Sequence, residues 1–278
     1  MASAPGSLAS LDGEVMLAAE ATIPATDDGL IRGDGVFEVM RVYERRPFAL
    51  DRHLARLERS ARNMRLAVDL EAIRSDVWRL LAHAGTGPEH DLLRIVVTRG
   101  GRRLLLTEPL PDHPSVVRLA SLTYSPTRVL DGVKSLSYGA NMLASRLARE
   151  RGFDEALLVT PHGRVLEAPT SSIFWVKDGE LLTPPLDEHI LASITRAIVI
   201  DGTEAAERSC TLDELIQADE AFLASTAREV HPVSAIDERT FDAPGPVTRR
   251  TAEIVDGLIR RQLEEETGHA EPLDVDTR

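Results

Sequence analysis

The stretch Val133-Lys134-Ser135-Leu136-Ser137-Tyr138-Gly139-Ala140-Asn141-Met142-Leu143 constrains this chain more than any other, because it holds one of only two lysines against thirty arginines. A chain so poor in lysine keeps one where a guanidinium will not serve. Lys177 has an ordinary explanation: Val176-Lys177-Asp178-Gly179-Glu180 is a tight-turn signature between two apolar runs, where a solvated ammonium belongs. Lys134 lies among Val133, Leu136, Tyr138, Met142 and Leu143, with no acid close by after Asp131. Burial lowers the proton affinity of an amine and makes it a nucleophile, as Schiff-base chemistry requires. A surface lysine snorkelling over apolar neighbours fits the same stretch equally well.

The rest of the chain must supply a core able to bury that amine. With 278 residues, 43% hydrophobic and 28% charged, it has the length and composition of a globular protein of one large or two ordinary domains. A formal charge of −13 argues against nucleic acid or an anionic membrane as a general partner, so the arginines act locally. The single cysteine, Cys210, excludes an intrachain disulfide. No apolar run approaches ~18 residues, and Met1 to Ser7 lacks a basic leader region, so a cytoplasmic location is expected.

Glu14 to Leu17 reads as a first strand, followed by a loop through Pro24 and Gly29. Gly33-Asp34-Gly35 then opens a strand whose Val36, Glu38, Met40 and Val42 share one face at period two. Glycines that open a strand do not form a dinucleotide loop. Asp51 is expected to cap a helix to about Leu66; on it Arg52, Arg56 and Arg59 form a row that pattern alone assigns to a solvated face. A second helix runs from about Leu70 to Ala84. Two strands follow, Leu92 to Thr98 and Val116 to Tyr124, separated by the Arg99-Gly100-Gly101-Arg102-Arg103 loop and a proline-containing stretch. That loop reads as a carboxylate clamp or a solvated turn.

The pattern changes around Ser125-Pro126-Thr127, which divides the chain into residues 1–123, a linker at 124–126, and residues 127–278. After Lys134 come a helix from about Ala140 to Arg151, with Gly152 just beyond its end, and strands at 156–160, 164–167, 171–176 and 180–183. Glu167 follows Val165-Leu166 in an apolar strand, where a carboxylate needs a partner. Ser193 caps a helix starting Ile194-Thr195-Arg196, whose first amides are free for an anion. Thr211 to Glu214 is a capping box, Glu220 to Ser225 a strand running into Thr226-Ala227-Arg228, and Val247 to Glu266 a last helix before an acidic tail expected to be disordered.

An apolar lysine, a buried glutamate, hydroxyl-rich turns offering amides, and arginines are together what a phosphate-bearing aldehyde cofactor would use. The histidines show no metal-ligand spacing, so no metal is expected, and Gly-x-Ser-x-Gly and Walker loops are missing. Gly33-Asp34-Gly35-Val36-Phe37-Glu38, His53-Leu54-Ala55-Arg56-Leu57, Lys134-Ser135-Leu136, Glu167-Ala168, Leu182-Thr183-Pro184-Pro185, Ile194-Thr195-Arg196 and Asp219-Glu220-Ala221-Phe222 occur in that order. In this the chain resembles the class IV aminotransferases, the fold type IV pyridoxal phosphate enzymes.

The resemblance implies an α/β fold with an N-terminal α/β sandwich, a C-terminal barrel-like α/β domain and pyridoxal 5'-phosphate in the cleft. By it, Lys134 would bind the cofactor aldehyde and shuttle the substrate proton, and Glu167 would face the pyridine nitrogen. Arg56, the Ile194 and Thr195 amides and the Thr226 hydroxyl would hold the phosphate, with Tyr138 reaching the phenolate oxygen. The Ala227 and Arg228 amides would face the substrate carboxylate, and Arg32, Phe37, Arg99 and Arg103 would shape specificity. Relatives carry asparagine where this chain has Ser172, and the D-alanine carboxylate trap is missing from the Arg99 to Arg103 loop. A homodimer is implied, with that loop near the partner's active site. The leading activity is transamination from a D-amino acid or small (R)-amine to an α-keto acid. 4-Amino-4-deoxychorismate lyase is the alternative, and a branched-chain L-amino-acid transaminase the second.

Overall fold

Alternating apolar residues make Gly35–Tyr43 the anchor of the first of two sheets in the computed structural model, which describes residues 6–267. That sheet comprises Leu8–Leu11 (β1), Glu14–Leu17 (β2), Gly35–Tyr43 (β3), Arg46–Pro47 (β4), Leu92–Thr98 (β5) and Arg103–Glu108 (β6). Its order is β2-β1-β6-β5-β3-β4, with every pair antiparallel. A short helix, Asp28–Arg32 (α1), lies in the segment expected to be loop. The amphipathic helices Leu50–Asn63 (α2) and Leu70–His83 (α3) bury Leu54, Leu57 and Ile73 against Met40, Ile95 and Leu105 of the sheet.

The second sheet contains Val117–Thr123 (β7), Glu155–Val159 (β8), Ser172–Lys177 (β9), Glu180–Thr183 (β10), Ala206–Glu207 (β11), Glu220–Ser225 (β12) and Glu229–Ile236 (β13), with Arg239–Thr240 (β14) on β13. Its order is β11-β10-β9-β12-β13-β7-β8, and the β7 pairs with β13 and β8 are parallel. Strands β9 and β12 are buried on both faces, so they read as unbroken apolar runs. Phe174 and Phe222 stack at 5.0 Å beneath Ile194–Gly202 (α5) and Pro246–Thr267 (α7). Gly139–Glu150 (α4) covers Ala156 and Leu158, and Leu212–Leu215 (α6) opens with the expected capping box at Thr211.

Several expectations change. β1 precedes the strand expected first, β6 occupies part of the supposed linker between β5 and β7, and β13 extends the chain past the 226–228 turn. Asp51 lies inside the first turn of α2, whose N-cap is Ala49 in left-handed conformation (φ 55°). Arg164 to Glu167 is not a strand of its own; Val165 forms an isolated bridge to Val159. Residues 124–126 follow β7, which already pairs into the second sheet, so the chain changes sheet between Glu108 and Val117. The acidic tail lies outside the described residues.

Candidate active site

Lys134 sits on an extended segment docked to the edge of β3. The Phe37 amide donates to the Lys134 carbonyl (3.0 Å), the Leu136 amide to the Gly35 carbonyl (2.9 Å), and the Lys134 amide to Ser60 Oγ of α2 (3.1 Å). These bonds fix the backbone on both sides of the lysine Cα. Gly35 makes the docking possible: a Cβ there would lie 2.5 Å from the Val97 carbonyl oxygen and 2.6 Å from Leu136 Cδ1. The glycine that opens β3 is therefore a close-approach site for the lysine segment.

The Lys134 amine lies 4.3 Å from the Phe37 ring centre and 5.5 Å from that of Tyr138, at the wall of a cavity of about 690 Å³. The residue is half-buried and opens into the cavity, so the snorkelling alternative does not hold. Burial, and then repulsion from Arg56, lower its pKa to about 8 against the attraction of Glu38 and Glu167. Glu167 lines the same cavity and accepts from the Leu191 amide (3.2 Å). Burial raises its carboxyl to about 7, and that hydrogen bond and the Lys134 charge only partly offset the rise. An amine and an acid are thus both brought near neutrality within one cavity.

Arg56 leaves the solvated row: Arg52 and Arg59 are exposed, but Arg56 is buried and reaches the cavity. Its Nε donates to Glu38 Oε1 (2.7 Å), its Nη2 to Glu38 Oε2 (2.6 Å) and its Nη1 to the Ala192 carbonyl (3.1 Å). His53 Nδ1 lies 2.8 Å from Glu38 Oε2. Burial alone would raise the Glu38 carboxyl; bonds and charge from Arg56 and then His53 hold it at about 2. Three of the five guanidinium protons are engaged, which leaves two for an anion. Ala192 immediately precedes the Ser193 cap of α5. Ser193 Oγ accepts from the Arg196 amide (3.2 Å) and its carbonyl from the Ala197 amide (3.1 Å). The Ile194 and Thr195 amides stand at the helix start without intrahelical partners.

Phe37, Tyr138, Thr226, Ala227 and Arg228 also line the cavity. The Tyr138 hydroxyl donates to the Pro169 carbonyl (2.7 Å), its ring edge-on to Phe37 at 5.2 Å. Arg32, Arg99 and Arg103 are not brought to it. Arg32 is exposed and paired with Asp28, Arg99 with Asp34 (3.1 Å), and Arg103 with Asp76 (3.0 Å). Sequence reading passed over Glu38, although a carboxylate among Val36, Met40 and Val42 is the same signal that flagged Glu167. It also passed over the Arg94–Glu108 pair on the cavity wall (2.6 and 2.9 Å), which alternates outward on β5 and β6 like any solvated pair.

The oxygens Ser171 Oγ and Ser172 Oγ, on cavity-lining residues, are buried without hydrogen-bond partners. An amine, an acid and a guanidinium with spare protons on one cavity, which the start of α5 reaches at Ser193 while Ile194 and Thr195 are not among its lining residues, fit a phosphorylated pyridine aldehyde. Among the described residues no His, Cys, Asp and Glu group could hold a metal ion, and no helix is long and apolar enough to cross a membrane.

A family model described as amino-transferase class IV matches residues 35–236, well over half of the chain. A putative branched-chain-amino-acid aminotransferase of Methanocaldococcus jannaschii is 34% identical over 87% of this chain and 93% of its own length. A D-alanine aminotransferase of Bacillus licheniformis is 30% identical over 89% and 95%, and an aminodeoxychorismate lyase of Bacillus subtilis 26% over 94% and 97%. A hypothetical aminotransferase from Mycobacterium tuberculosis, solved with alpha-ketoglutarate and PMP, superposes with a TM-score of 0.83 at 27% identity, covering 91% of this chain and 98% of that one. The two curled sheets are thus the fold type IV architecture, and the chain belongs to the class IV aminotransferases, enzymes whose cofactor is pyridoxal phosphate.

Proposed function

We propose that the protein is a transaminase that moves an amino group from an amino acid to an α-keto acid in a ping-pong cycle, with a D-amino acid or small (R)-amine as donor. The observation that carries this reading is the paired tuning of Lys134 and Glu167 in one cavity. Pyridoxal phosphate supplies the electron sink that acidifies the substrate Cα–H bond. Lys134, with a pKa near 8, would hold the aldehyde through its unprotonated amine and, once the donor's own amine has displaced it, would be free as the base that takes the Cα proton and delivers it to the former aldehyde carbon. Glu167 offers its carboxyl to the pyridine nitrogen, Arg56 and the Ile194 and Thr195 amides hold the phosphate with the Thr226 hydroxyl, and the Ala227 and Arg228 amides meet the substrate carboxylate. Phe37 and Tyr138 wall the reacting centre.

A branched-chain L-amino-acid donor is the second reading, favoured by the apolar wall of Phe37, Val39, Val96 and Leu106. The lyase reading is weaker, because the arginines invoked for an aromatic dicarboxylate, Arg32, Arg99 and Arg103, pair elsewhere within the chain. The protein works as a homodimer, with the Arg99 to Arg103 loop near the partner's site. Absorbance spectra of the holoenzyme with D-alanine and with L-leucine, each without a keto acid, test the assignment. Loss of the long-wavelength band with one enantiomer alone supports transamination and fixes its stereochemistry; a band that neither donor changes favours the lyase.

A further inference from the structure

The turn Thr226-Ala227-Arg228 lines the active cavity and joins β12 to β13, with Ser225 and Glu229 paired across its base. Among the described residues no backbone carbonyl accepts from the Ala227 or Arg228 amide, so the aim of these amides depends on what holds the turn from outside. Two anchors do so. Arg228 Nη2 donates to Glu155 Oε2 of β8 (2.7 Å), in the same sheet, and Glu155 Oε1 in turn accepts from Ser145 Oγ of α4 (2.6 Å). Glu229 Oε1 accepts from the Tyr43 hydroxyl (2.7 Å), 186 positions away in the chain and at the end of β3 in the first sheet. Arg41, on the same strand, places its guanidinium 5.0 Å from the Tyr43 ring centre and its Nη1 3.8 Å from Glu229 Oε1. Burial, and then the Glu229 charge, raise the Tyr43 phenol, which keeps it a donor. Glu229 itself stands at φ 53°, in the left-handed region that glycine or asparagine usually fills. A glutamate there is strained, and such strain persists where the surroundings hold it. Arg41, Tyr43 and Glu229 are not among the residues lining the cavity, so they reach the substrate through the turn.

We propose that Glu229, tied across the two sheets to Tyr43 with Arg41 beside it, is a positioning residue that holds the 226–228 turn so that the Ala227 and Arg228 amides meet the substrate carboxylate. Substrate affinity is thereby coupled to the seam between the two sheets. This rests on the transaminase reading, in which that turn is the carboxylate site.

Calorimetric titration of the holoenzyme with valerate, and with valeramide as its neutral control, measures carboxylate binding without turnover. The wild type is expected to prefer valerate. Tyr43→Phe and Glu229→Ala should each weaken valerate roughly tenfold and change valeramide by less than about twofold, as for loss of one hydrogen bond to a charged group. The double variant Tyr43→Phe/Glu229→Ala should lose no more than the worse of the two, because both substitutions cut one tie. Glu229→Gln keeps an acceptor oxygen for the phenol and should bind valerate within about threefold of wild type. In steady state Tyr43→Phe should raise the donor KM and leave kcat within about threefold, with cofactor retained on dilution as in the wild type. A general loosening would instead lower kcat, cofactor retention and Tm together. The proposal is overturned if the wild type does not prefer valerate, if Tyr43→Phe weakens it by less than about threefold, if valerate and cofactor weaken alike, or if Glu229→Gln falls as far as Glu229→Ala. If the valerate series behaves as expected but no amino donor converts the cofactor, the positioning role stands and transamination fails. If a donor converts the cofactor and Tyr43→Phe leaves its KM unchanged, transamination stands and the positioning role fails.

Discussion

Replacing Glu38 with glutamine should destabilise the apoprotein by about 3 kcal/mol or more at neutral pH, by the two independent routes below. The carboxylate is fully buried and is met by two bonds from Arg56 and one from His53. Removing one partner of such a pair leaves a buried uncompensated charge, at a cost of roughly 3–5 kcal/mol. Holding the carboxyl at about 2 instead of 4.5 gives about 3 kcal/mol by linkage. For a chain of this size that is a fall in Tm of roughly 6–12 °C. Because the folded pKa is depressed, the contribution is complete above the ordinary carboxylate range and is lost as pH falls through about 2. Thermal melts of wild type and variant should therefore differ by a constant gap near neutrality that narrows below about pH 4.5. A gap under about 2 °C at neutral pH, or one that persists unchanged into acid, would refute the reasoning.

Lys134→Ala should abolish both the long-wavelength cofactor band and turnover while leaving the circular dichroism unchanged; a variant with full activity would sink the assignment of the nucleophile. Gly35→Ala places a methyl 2.5 Å from the Val97 carbonyl, so denaturant unfolding should show a loss of roughly 1–3 kcal/mol, together with reduced activity as the lysine segment shifts. Glu167 has a folded pKa raised to about 7, so its contribution to apoprotein stability falls as pH rises from about 4.5 to about 7. Glu167→Gln should remove that slope, and Tm profiles of the two apoproteins that run parallel across this window would exclude the buried carboxyl as its source.

Much of the fold was legible because the sequence repeats its periods cleanly. Strand β12, Glu220 to Ser225, and the caps at Ser193 and Thr211 depend on local pattern and match. β6 was hidden by its setting: Leu104 to Leu106 is a short apolar run between an arginine loop and a proline stretch, and only pairing with β5 and β1 makes it a strand. The Ala49 cap was equally opaque, since a left-handed alanine carries no local signature. Within the site, Lys134 stood out through its rarity and Glu167 through its apolar flanks. Arg56 was indistinguishable from Arg52 and Arg59 by helical spacing, because its partners come from β3 and from the Ala192 carbonyl 136 residues away. Long-range ion pairing, which spacing does not encode, decided which arginine went inside.

That pairing bears on the chemistry as well as on stability. Arg56 pushes the Lys134 pKa down, and Glu38, bound to Arg56, opposes it. Glu38 therefore has two separable effects: it holds the Arg56 guanidinium at the cavity wall, and it keeps the nearby lysine from losing its proton too readily. Glu38→Gln should weaken cofactor retention through the loosened Arg56. It should also move the lysine titration below about 8, because burial and Arg56 repulsion then act with less opposition. The pH dependence of cofactor uptake by the apoprotein, followed as growth of the long-wavelength band, reads the second effect, and its midpoint should shift to lower pH while equilibrium affinity falls. A midpoint that stays fixed or rises would mean that Glu38 acts on Arg56 alone, and the two acid–base pairs of this cavity would have to be treated as independent.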